Sequence, residues 1–200
     1  MFPLVETVQV VDGEALHLNY HQKRLDATFH SYYQAESPFT LAEIIHIPRK
    51  FSKGLHKLRF LYDQTNYRYE FSPYQARRIE SLKIVEVETI HYPFKFTDRQ
   101  AINELVSQKG QCDDILIVVD GLIGDTSIAN IVFFDGKRWL TPDSPLLAGT
   151  CRARLLAEGI IVEAKIGLAD LARFHSFSLL NALKGEADLL DPLPIKNILK

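Results

Sequence analysis

Cysteine is scarce in this chain. Of 200 residues only Cys112 and Cys151 carry a thiol, far apart and with no metal-ligand spacing around either. That excludes a disulfide framework and a cysteine-built zinc site, and it reads as two free thiols in a reducing compartment. Neither sign of charge dominates: 23 Lys and Arg stand against 25 Asp and Glu, a net −2, with no basic block. Electrostatics therefore give no support to a nucleic-acid partner or an anionic membrane surface. Apolar runs fall well short of the about 18 residues a membrane span needs. The start, Met1-Phe2-Pro3-Leu4-Val5-Glu6, lacks a basic n-region and an apolar h-region. The expectation is no secretory signal and a cytoplasmic protein. Fingerprints of serine hydrolases, P-loop enzymes and dinucleotide binders are missing. The seven histidines are scattered, and His17 with His21 lacks the glutamate and third ligand of a zinc enzyme, so no metal is expected.

What is present is an ordinary globular composition, 46% apolar and 24% charged, enough for one large domain or two small ones. Val5 to Val11, Asp12-Gly13 and Ala15 to Leu18 form a hairpin signal, because Asp-Gly tolerates the positive φ of a tight turn. A helix is predicted from Asn19 as N-cap to about Tyr33, broken by Ser37-Pro38. A short second helix with a capping-box pattern begins at Thr40. Leu55 to Tyr62, Tyr67 to Phe71 and Leu82 to Ile90 read as strands. Beyond them the pattern predicts a helix over 98–107, strands over 115–119, 130–134 and 138–140, and a helix from Thr150 to Glu158. A strand over 160–166, a helical turn over 168–174 and a last strand over 178–183 follow, with Asp191 to Pro194 closing the ordered part. The division is a small α+β lobe over 1–90 and a larger strand-rich lobe over 95–200, with a linker near 91–94. A junction is a common place for a ligand cleft, and Lys95 lies at this one.

Four segments could carry chemistry together. Lys95 stands between Phe94 and Phe96, aromatic neighbours that could strip water from an ammonium and make it nucleophilic toward an aldehyde. Its alternative is a solvated surface lysine. Asp125, between Gly124 and Thr126 and just before an apolar strand, could stay ionised against a pyridinium N–H; its alternative is a turn aspartate capping its own backbone. A lysine that forms an imine and a carboxylate that holds a pyridinium proton are the minimum apparatus for handling pyridoxal phosphate. Gly149-Thr150-Cys151-Arg152 opens a helix after a loop, where backbone N–H groups make a seat for a phosphate. Thr150 reads equally as a plain N-cap. Arg24, in His21-Gln22-Lys23-Arg24-Leu25, could clamp the same phosphate or be an exposed helical arginine.

Taken in order, these segments resemble the class IV aminotransferase family, the fold-type IV enzymes of pyridoxal phosphate. That family includes branched-chain and D-amino acid aminotransferases and aminodeoxychorismate lyase. Its His-x-x-Arg-Leu segment matches His21 to Leu25, and its Lys-x-x-Asn-Arg motif matches Lys95-Phe96-Thr97-Asp98-Arg99. The acidic residue followed five positions on by asparagine matches Asp125 and Asn130. Leu-x-Gly-x-x-Arg matches Leu147 to Arg152, and the late Asn-Ala-Leu strand resembles Asn181-Ala182-Leu183. The resemblance implies a two-lobed α+β enzyme, a homodimer, acting on a small amino-acid-like substrate. Lys95 would be the catalytic amine and hold the cofactor, Asp125 would stabilise the pyridinium, and Arg24 with Thr150 and Cys151 would fix the phosphate. Arg99 and the Asn181 strand point to a lyase resembling 4-amino-4-deoxychorismate lyase, which releases pyruvate and forms 4-aminobenzoate for folate. An aminotransferase on D-amino or branched-chain amino acids is the alternative. A third reading, a degenerate cofactor-binding relative with little turnover, is motivated by Asp125 where the family usually has glutamate and by a shortened N-terminal segment. Cys151 also departs, standing where many relatives have threonine.

Overall fold

The computed structural model describes residues 2–184 and 189–199. The chain divides into two compact units, Met1–Ala76 with Phe94–Asp98, and Arg77–Pro93 with Arg99–Lys200. The division near 91–94 drawn from the sequence does not match this. Leu82–Val87 pairs with strands of the second unit, while the five residues around Lys95 return to the first.

The first unit is an antiparallel sheet in the order β2-β1-β3-β4, built from β1 (Leu4–Val11), β2 (Glu14–Ala15), β3 (Leu55–Tyr62) and β4 (Tyr67–Pro73). Asp12 and Gly13 both take positive φ, 48° and 86°, the mirror-image turn that suits a two-residue hairpin. Register places Leu4, Glu6, Val8 and Val10 opposite Tyr62, Phe60, Leu58 and His56, on one face. That face is buried against α1 (Leu18–Thr28) and α2 (Leu41–Ile44), in a core that includes Leu25, Phe29, Phe39, Leu41 and Phe60. His21, Leu25 and Thr28 form the buried stripe of α1, at the spacing of successive helical turns.

Three local expectations change. The helix starts at Leu18, with His17 in the left-handed region at φ 56°, so Asn19 lies inside it. After Thr28 it widens into a π-helical turn, Phe29–Tyr33, ended by Gln34 at φ 53°. Thr40 precedes α2 without a capping hydrogen bond from its side chain.

The second unit is a nine-stranded mixed sheet. Its path runs β10 (Ile161–Ala164), β9 (Trp139–Pro142), β8 (Asn130–Phe134), β7 (Leu122–Thr126), β6 (Asp114–Val119), β5 (Leu82–Val87) and β13 (Ile198–Leu199). Off this path, β11 (Ser176–Leu180) pairs with β8 and with β12 (Leu193–Pro194). α3 (Gln100–Val106) and α4 (Thr150–Ala157) complete it. Leu116, Val118, Ile131, Phe133 and Phe177 centre its main core. Asp120 and Gly121, at φ 48° and 75°, turn β6 into β7.

The sequence did not announce β7. Its Gly124 and Asp125 are poor strand formers, and pairing on both sides overrides that preference. Gly124 fits closely there, since a Cβ would stand 3.3 Å from Leu146 Cγ and 3.4 Å from Ile117 O, so Leu146 would have to give by a few tenths of an ångström. Order continues past Pro194 into β13, which pairs in parallel with Leu82 and Lys83. Among the described residues, no helix is long and apolar enough to cross a membrane.

Candidate active site

In the first unit the segment around Lys95 is laid antiparallel on the start of β1. Val5 N–H donates to Lys95 C=O at 3.0 Å, Thr97 N–H to Pro3 C=O at 2.8 Å, and Leu4 bridges Phe96. Phe94 and Phe96 pack onto the core cluster, and their rings lie against Tyr32. Lys95 is half-buried between them. Its backbone carbonyl is thereby tied to β1, next to an isolated antiparallel bridge.

Next to Val5 on β1 stands Glu6, 1% exposed. It accepts from Arg24 Nε at 2.8 Å and Arg24 Nη2 at 2.6 Å, and His21 Nδ1 lies 2.7 Å from its Oε2. Burial alone would raise the Glu6 pKa. The Arg24 charge and the hydrogen bonds from His21 and Arg24 outweigh it and hold the group at about 2. Tyr62, buried beside this cluster, has its phenol pushed upward by burial and by the Glu6 charge. Arg24 is therefore not an exposed helical arginine; its side chain is 12% exposed and its fork is engaged by a carboxylate. Glu6 was not foreseen, although a signal existed: an acid on the apolar face of an alternating strand, opposite a helix with His21 and Arg24 one turn apart.

In the second unit Asp125 lies on β7, 5% exposed, and is not a turn residue capping itself. Its Oδ1 accepts from Asn130 Nδ2 at 2.7 Å and its Oδ2 from Leu147 N–H at 3.0 Å. Burial pushes its pKa up to about 6, against the pull of Asn130, the Leu147 N–H and the Arg152 charge. Asn130 sits opposite Asp125 in the β7–β8 pairing and donates also to Leu147 C=O at 3.0 Å. Arg99 braces the same turn by donating to Ser127 C=O.

Gly149 is the N-cap of α4, so Thr150 is its first residue and not a cap. Thr150 is buried, and backbone N–H groups of such a first turn project from the helix start. Cys151, next on α4, is buried in a cluster with Val132, Leu155 and Leu180. Arg152 pins α4 to the sheet through Pro142 C=O at 2.7 Å, Glu163 Oε1 at 2.7 Å and Thr141 Oγ1 at 3.2 Å. Asn181 falls just after β11; its Oδ1 accepts from Leu183 and Lys184 N–H, a turn and not the strand expected. The structure thus brings Asp125, Asn130 and the start of α4 together in one unit, and Arg24 and the Lys95 backbone to the start of β1 in the other.

A buried carboxylate held only by neutral donors, next to a helix start, has the chemistry to take a protonated ring nitrogen and a phosphate. Comparison with known proteins bears on the family. The model of the amino-transferase class IV family matches residues 3–189. An uncharacterised protein of Haemophilus influenzae is 36% identical over 187 residues, 92% of this chain and all of its own. The crystal structure of a candidate 4-amino-4-deoxychorismate lyase from Haemophilus somnus 129pt is 37% identical, with a TM-score of 0.86 over 92% of this chain and 98% of that one. A hypothetical aminotransferase from Mycobacterium tuberculosis, in its PLP-bound form, shares the fold at 16% identity, with a TM-score of 0.76 over 98% of this chain and 81% of its own. Matched along nearly its whole length, the chain belongs to the class IV amino-transferase family, a family of pyridoxal phosphate enzymes.

Proposed function

We propose that this enzyme is a pyridoxal phosphate-dependent lyase that releases pyruvate from an aminodeoxychorismate-like substrate and leaves a 4-aminobenzoate-like product. The observation that carries the cofactor part is Asp125: a carboxylate buried, raised to about 6 and met by no cation hydrogen-bonded to it among the described partners. A protonated ring nitrogen would supply the missing positive charge. For the lyase part, support comes from 37% identity to a structure described as a candidate lyase of that substrate.

When bound, the cofactor supplies an aldehyde reactive toward amines and a ring that draws electrons from the substrate's α-carbon. The chain supplies the rest. Lys95 Nζ would be the attachment point and, when free, would carry the proton at the α-carbon as base and then acid. Asp125 would keep a proton on the ring nitrogen. Arg24 would offer the phosphate a charge it shares with Glu6, and Thr150 and Cys151 would offer their N–H groups. A homodimer in the cytoplasm fits the same reading.

Two experiments test it. Borohydride treatment after loading with pyridoxal phosphate should leave the cofactor's mass on Lys95, and Lys95→Ala should abolish that mass and the visible absorbance. Incubation with aminodeoxychorismate should yield pyruvate with no amino transfer between amino and keto acid pairs. Amino transfer instead would make the enzyme an aminotransferase; loading on Lys95 without turnover of either would make it a degenerate relative.

A further inference from the structure

Asn130 occupies a position that ordinary packing does not explain. Both protons of its carboxamide nitrogen are spent, one on Asp125 Oδ1 at 2.7 Å and one on Leu147 C=O at 3.0 Å. Acceptors on both sides fix which way the amide points, since the flipped form would set oxygen against oxygen. Its own Oδ1 lies where a Cβ on Gly149 would stand; that atom would also come within 3.0 Å of Asn130 Cγ. Residue 149 is at φ −70°, so no backbone strain asks for glycine there. The side chain of Asn130 does. One buried amide, 5% exposed, therefore touches Asp125, the loop before α4 and the N-cap of α4.

We propose that Asn130 is a positioning residue that clamps the Asp125 carboxylate to the loop starting α4, fixing the distance between the acid and the helix start. Resting on the cofactor reading above, this means that the ring-nitrogen end and the phosphate end of the ligand are held at one spacing by one side chain. Asp125 Oδ2 is drawn to the same loop by Leu147 N–H, so both carboxylate oxygens are committed to it. The Arg152 charge, on α4, also draws Asp125 toward ionisation.

The test uses the cofactor-free protein and then the loaded one. Carboxyl-carbon NMR follows the titration of Asp125 in the wild type, Asn130→Ala, Gly149→Ala and the double variant. Removing the amide, or pushing it aside with a methyl group, should each raise the Asp125 midpoint by about one pH unit, tenfold in proton affinity. The double variant should rise no further than Asn130→Ala alone, because both changes act through the same amide. Pyridoxal phosphate affinity should follow the same pattern, about tenfold weaker in each single variant and not a hundredfold in the double. Additive shifts, or an Asp125 midpoint that ignores Asn130→Ala, would overturn the clamp. Should the variants not fold, the Asn130 amide protons of the wild type must shift with the Asp125 midpoint, and their constancy across that range overturns it as well. A non-additive shift in a protein that takes up no cofactor sinks the cofactor reading and leaves the clamp; cofactor uptake with additive shifts does the reverse.

Discussion

Glu6 and Asp125 are both strand carboxylates, 1% and 5% exposed, one in each unit of the chain. Glu6 meets an arginine fork and a histidine and sits at about 2; Asp125 meets an amide and a backbone N–H and sits at about 6. Desolvation is the largest influence on each. The difference lies in what faces them. A buried acid that has its cation inside the fold is satisfied and holds two elements together. One that has only neutral donors carries a standing cost, which a positively charged ligand group can offset. On the proposed reading, a structural and a ligand-seeking acid are told apart by their partners, where exposure would not separate them.

That contrast can be broken most severely at Glu6. Glu6→Gln leaves Arg24 without its counter-charge in a largely buried setting and should cost about 3–5 kcal/mol, read from denaturant unfolding. Next come the pH dependences, which should have opposite signs. The folded pKa of Glu6 is below its ordinary value of 4.5, so its stabilisation is full above pH 4.5 and is lost as pH falls toward 2, about 3 kcal/mol in all. The folded pKa of Asp125 is above its ordinary value of 3.8, so the folded state holds that proton more tightly. Its contribution is full below pH 3.8 and is lost as pH rises through 6, again about 3 kcal/mol. Stability curves of wild type against Glu6→Gln and Asp125→Asn should lose the acid slope in the first and the slope between pH 4 and 6 in the second. Equal slopes in wild type and variant would dissolve the distinction.

A smaller effect is expected from Asp125→Glu. Both oxygens already have partners, and one more methylene overfills a buried site, costing about 1–3 kcal/mol. The thermal midpoint would show it, and a stabilised variant would mean the site has room. Smallest is Cys151→Ala. With the sulfur in an apolar cluster, the loss should be about 1 kcal/mol, and cofactor affinity should stay within about threefold. A larger loss of affinity would give the thiol a role that its burial denies.

Legibility in the sequence followed the range of the interactions. The Asp12-Gly13 and Asp120-Gly121 turns were readable because their backbone angles follow from two adjacent residues. Long apolar strands such as Ile115 to Val119 were readable from composition. β7 was not, because its strand character comes from neighbours on both sides and not from Gly124 and Asp125. β13, with two residues, is too short to leave a pattern. Lys95 was legible as a lysine between aromatics, yet its attachment to β1 depends on a contact across some ninety residues. Glu6 with Arg24, and Asn130 with Gly149, are likewise pairs that no local window contains.

The return of Phe94–Asp98 to β1 after β5 has joined the other sheet makes the two units interleaved along the chain. Neither can be isolated by a single cut. A fragment ending at residue 90 would keep the first sheet but lose the segment that carries Lys95, and a fragment starting there would carry Lys95 without the sheet that seats it. Melting should accordingly be followed as a joint event, and complementation by two separately expressed halves would be the unusual result to look for.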